Sequence, residues 1–124
     1  MQLPERVKIG GHWYKVTYPY RFTERNDIVG QHDYSGKEIR IASETFNGEV
    51  ICDSSIVVAF IHEILHAVDY VSGSRIFEEN ETTIEVFSEI LFSVLVDNGW
   101  LKLGAASVDG FSPPFPDGCR CSPP

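Results

Sequence analysis

Residues 53–71 read DSSIVVAFIHEILHAVDYV, and this stretch decides the fold. Asp53, Ser54 and Ser55 are residue types that favour helix N-termini, and an apolar run follows them directly. No Gly or Pro interrupts Ile56 to Val71, and Gly73 supplies a stop. At about 100° per residue, Ile56, Val57, Phe60, Ile61, Ile64, Leu65, Ala67, Val68 and Val71 fill one broad arc. His62, His66 and Asp69 share the narrow remainder, with Glu63 on its far shoulder. The spacing predicts a helix buried on most sides, with one polar stripe that carries two imidazoles.

Inside this helix, His62-Glu63-Ile64-Leu65-His66 has the form H-E-x-x-H. Residues four apart on a helix point the same way, so both imidazoles can close on one metal ion. Glu63 lies one step round, within reach of a water bound to that metal. This is the layout of a zinc hydrolase of the metallopeptidase type, with Glu63 as general base. The bland alternative is a helix with two exposed histidines. A shuffled chain of this composition would contain the pattern roughly once in a hundred, so the motif needs support from the rest of the sequence.

Catalytic zinc takes three protein ligands and keeps one position open. A second apolar helix is predicted over 79–98, ended by Gly99, and it carries Glu81, Glu85 and Glu89 at spacings of four. Glu85 is the expected third ligand. Ile84, Val86 and Phe87 surround it, and a carboxylate in an apolar stretch needs a partner. Glu81 and Glu89 are the substitutes, each read first as a solvated helix acid. The metzincin continuation calls for Gly at 69 and a ligand at 72; Asp69 and Ser72 stand there instead. Asp69 is either an acceptor that orients an imidazole or a surface acid.

The chain has 124 residues, 43% of them hydrophobic, and a formal net charge of −8. These values describe one globular domain with a modest core. No basic stripe exists to neutralise phosphates, so nucleic acid is not expected as a partner. Nor is a membrane, because the longest apolar stretches are amphipathic or broken by His, Glu and Asp. The first residues show no signal-peptide pattern, and a cytoplasmic location is expected. Cys52 reads as a small, partly buried thiol, and Cys119 and Cys121 as reduced, exposed cysteines without a catalytic role.

Upstream of the helix, Val7–Ile9 and His12–Tyr18 flank Gly10-Gly11, a hairpin signal ended by Pro19. Residues 30–34 and 37–41 flank Ser35-Gly36 as a second hairpin, in which Ile39 and Ile41 alternate with Arg40 as a half-buried strand should. Residues 21–30 and 43–52 read as loops. The fold class is therefore α+β, with the domain over 1–103. Residues 104–124 hold five of the seven prolines and are expected to form a mobile Pro/Gly/Ser-rich tail.

Three segments together resemble the small zincin-like metallopeptidases of bacteria and phages, related to the ImmA/IrrE group. They are GQHDYSGKEIRI (30–41), IHEILHAVDY (61–70) and ETTIEVFSEILFSVLVDN (81–98). The resemblance covers roughly half the chain in order and spacing. It implies a small antiparallel sheet of three or four strands packed on two main helices. It implies Zn2+ held by His62, His66 and Glu85, with Glu63 as base, and an edge strand beside the cleft that offers Tyr34 or His32, ahead of Tyr70, as a second electrophile. It further implies a protein or peptide substrate, a regulatory protein by analogy, and a host cytoplasm if the chain is phage-encoded. The proline-rich tail departs from the pattern. The alternative function is a non-catalytic zinc-binding protein, a phage accessory or a module that binds a host protein. In that case Asp69 or His32 would be the fourth ligand.

Overall fold

The computed structural model describes residues 2–23, 28–78 and 80–101. The strands are β1 (Arg6–Ile9), β2 (His12–Thr17), β3 (Gly30–Asp33) and β4 (Glu38–Ile41); the helices are α1 (Asp53–Ser72) and α2 (Glu81–Asp97). Both hairpins form where the turn residues put them. Gly10 and Gly11 take φ of 57° and 87° in the first turn, and a Cβ on Gly10 would run into Val71 of α1. In the second, Asp33 accepts bonds from the Gly36 N–H and the Ser35 hydroxyl, each at 3.0 Å. Arg40 then ties β4 back to β3 through Gln31 at 2.7 Å and Asp33 at 3.2 Å, and it pairs with Glu38 at 2.8 Å.

The sheet order is β1-β2-β4-β3. Its central pair, β2 and β4, runs parallel, with Val16 opposite Ile39. The sheet is therefore mixed, not wholly antiparallel as expected. Turn chemistry specifies each hairpin but carries no information about how two hairpins meet. Parallel pairing aligns Tyr14 and Val16 with Ile39 and Ile41 on one face, all of them buried, and leaves β3 on the sheet edge.

That apolar face packs on α1, where Ile56, Phe60 and Ala67 join Ile9, Tyr14, Val16, Ile39 and Ile41 in one cluster. On its other side α1 meets α2, through Val57 and Ile61 against Phe92, with Leu65 and Leu95 packed around them. Each such buried side chain contributes about 1.5–3 kcal/mol, so α1 is held on two sides. By length and composition α1 is also apolar enough to cross a bilayer. Here it is the central core helix.

Cys52 precedes α1 as its N-cap residue. It is disulfide-bonded, which corrects the expectation of a free thiol; its partner lies outside the described residues. An odd cysteine count does not forbid a pair, and sequence alone does not show which sulfurs approach each other. The expected roles of Cys119 and Cys121 and the expected mobility of the tail concern residues outside those described.

Candidate metal centre

His62 and His66 project from adjacent turns of α1, with ring centroids 4.9 Å apart. Their side chains are 19% and 25% exposed. Oε1 of Glu81, on the first turn of α2, lies 3.0 Å from Nε2 of His62 and 3.4 Å from Nε2 of His66. These donors form the one group of three or more possible ligands that converges among the described residues. Zinc at ~2.1 Å from each of three tetrahedral ligands would hold them about 3.4 Å apart. Two neutral imidazoles and a carboxylate are also the donor types that suit it. Glu81 is 64% exposed, so the group faces solvent on one side.

The carboxylate at the histidines is thus Glu81, one turn before the expected Glu85. Glu85 lies close enough to favour the charged form of His62, but as the weakest of several influences. Burial depresses the His62 pKa most, and the His66 charge also lowers it, while Glu81 pulls the other way.

Glu63 is 8% exposed. Burial, and then the negative charge of Glu81, push its pKa up to about 8. Gly30, the first residue of β3, makes room for it: a Cβ there would stand 3.1 Å from both Cγ and Oε2 of Glu63 and 3.2 Å from Cδ1 of Ile41. The hairpin signal marks Gly30 only as a strand end, and nothing in the sequence shows that it faces the acid of the motif.

Asp69 is buried, and its hydrogen bonds go elsewhere than to an imidazole. Oδ1 accepts from the Ser74 hydroxyl at 2.8 Å and the Ile76 N–H at 2.6 Å, and Oδ2 accepts from the Phe77 N–H at 3.0 Å. Burial pushes the carboxyl up, but these bonds outweigh it and hold the pKa below the ordinary value. Asp69 therefore fastens the loop that delivers Glu81. Both readings made from sequence, an imidazole partner and a surface acid, miss this role.

His32 points from β3 to the same region. Its Nε2 is 3.5 Å from the hydroxyl of Tyr14. Burial, followed by the charge of His66, lowers its pKa. Tyr34 and Tyr70 stack at 4.6 Å between ring centroids, each 6.2 Å from the His32 ring, and both are more than half exposed. His32 is not among the converging ligands. Glu89, a further turn along α2, is exposed and likewise outside that group.

No protein-family model, curated protein or solved structure matches this chain.

Proposed function

We propose that this chain is a zinc-dependent metallopeptidase with a zincin-like fold, whose metal is held by His62, His66 and Glu81. The observation that carries the reading is the convergence of Nε2 of His62, Nε2 of His66 and Oε1 of Glu81 beside the sheltered carboxylate of Glu63. A helix with two incidental histidines has no need of an acid arriving from the next helix at ligand spacing. Bound zinc supplies a polarised water and a positive charge for the oxyanion that develops on the scissile carbonyl.

The chain's own residues do the rest. With its pKa raised to about 8, Glu63 would need the positive charge of the bound ion to hold it as a carboxylate; in that form it accepts a proton and returns it to the leaving nitrogen. Gly30 lies close against that carboxylate, with no room for a side chain between them. The β3 edge offers backbone groups to an extended peptide, in the manner of strand addition. His32 and the Tyr34–Tyr70 stack provide hydrogen-bond donors and aromatic surface on the same side. The substrate in this reading is a protein segment, a regulatory protein by the resemblance to the ImmA/IrrE group; the disulfide at Cys52 speaks against the reducing cytoplasm expected from the sequence.

The test begins with elemental analysis of protein purified without chelators. One equivalent of zinc, lost in Glu81→Ala, is expected. Hydrolysis is then followed on a quenched fluorescent peptide library, with Glu63→Gln as control. Bound zinc with no cleavage of any peptide would leave a binding protein and end the catalytic reading.

A further inference from the structure

Among the described residues, no element covers one side of α2. Val86, Phe87, Ile90, Leu91 and Val94 are between 39% and 59% exposed. On the helix Val86, Ile90 and Val94 form a stripe away from Ile84, Ser88 and Phe92, the side chains buried in the domain; Leu91 lies at its border, and Phe87 packs edge-on against Phe77 at 5.4 Å between ring centroids. Ile76 and Trp100, 63% and 72% exposed, stand before and after the helix. Scattered apolar residues on a surface need no explanation, but a contiguous patch of this length marks an interaction site.

Charge says what covers it. Helix α2 carries Glu81, Glu85, Glu89 and Asp97, and no Lys or Arg. A second copy laid α2 against α2 would bring two acidic rows together with no counter-charge, which disfavours that pairing. Among the described residues, a basic cluster lies on the outer face of the sheet, where Arg6, Lys8 and Lys15 surround Trp13. That surface has one large exposed apolar side chain and cannot fill a helix-long stripe. An anionic bilayer meets the same acidic row.

We propose that the outer face of α2 docks a basic amphipathic helix of a partner protein, its apolar side chains on Val86, Ile90 and Val94 and its Lys or Arg residues beside Glu85 and Glu89. The surface lies on the far side of α2 from Phe92, and its use does not depend on the metallopeptidase reading.

Two helical peptides of about 18 residues, roughly five turns, serve as probes. They share one leucine spacing and differ only in carrying lysine or glutamate on the polar face. Each is titrated into the full chain by fluorescence anisotropy. The lysine peptide is expected to bind about tenfold tighter or better, and to weaken as salt rises. Ile90→Ser with Val94→Ser should cost at least about tenfold, with the thermal midpoint unchanged because both side chains lie outside the core. Glu89→Lys, which leaves the apolar stripe intact, should weaken the lysine peptide alone. Equal binding of the two peptides, binding by neither, or binding indifferent to these substitutions would overturn the proposal. So would a wild-type dimer in sedimentation that Ile90→Ser dissociates, since a second copy would then occupy the stripe.

Discussion

Oε1 of Glu81 stands 3.0 Å from Nε2 of His62, although the two residues belong to different helices. The connection over residues 73–80 sets that distance. It starts at Gly73, whose φ of 73° ends α1, and it is pinned at Ser74, Ile76 and Phe77 by Asp69. Shortening or loosening it would bring a different turn of α2 to the histidines.

Replacing Glu81 is therefore expected to matter more than replacing Glu85. Glu81→Ala should weaken zinc binding at least about a hundredfold, the loss of one of three ligands. Glu85→Ala should change it by no more than a few fold. Competition against a fluorescent chelator measures both, and the reverse order would return the ligand role to Glu85.

Glu63→Gln keeps the shape of the buried side chain and removes its basicity. Zinc content should be unchanged, while hydrolysis of any peptide found to be a substrate should drop about 10²–10⁴-fold. Equal rates would remove Glu63 from the proton transfer.

Asp69→Asn should lower the thermal midpoint and weaken zinc binding by about tenfold, because the loop it fastens carries Glu81. The pH dependence has a definite sign. The folded carboxyl lies below its ordinary value of 3.8, so its contribution is full above that pH and is lost as the pH falls through the folded value. Wild type should show this acid-side loss of stability in denaturant titrations and Asp69→Asn should lack it. Parallel curves for the two proteins would contradict the assignment.

Gly30→Ala tests the close approach to the base. The added methyl must displace Glu63 or Ile41 by a few tenths of an ångström. Hydrolysis is expected to fall on the order of tenfold with zinc content intact. An unchanged rate would mean that Glu63 tolerates the shift.

Local signals carried the elements of this fold far better than their assembly. The apolar arc from Ile56 to Val71 gave helix α1, and Gly73 its end. The Gly10-Gly11 and Ser35-Gly36 turns gave both hairpins. The parallel meeting of β2 and β4 was not legible, because it follows from burying Val16 beside Ile39 on α1 and not from any turn. The two histidines and Glu63 were readable as a motif. Which acid of α2 approaches them was not, since Glu81, Glu85 and Glu89 recur every four residues and look alike until the loop length is known. Nor did Asp69 signal its role: its partners are backbone N–H groups, and these have no sequence signature.

Helix α2 begins at Glu81, and Asn80 ahead of it makes no side-chain cap bond. An uncapped first turn frays, and helix ends open on a timescale of about a microsecond or less. One claw of the site would then swing free many times for each unfolding of the domain, while the imidazoles on α1 stay put. If the proposed zinc site is loaded, ion capture and escape would be paced by a single loosening turn, and exchange rates measured by stopped flow should respond to a Ser or Asp introduced at position 80.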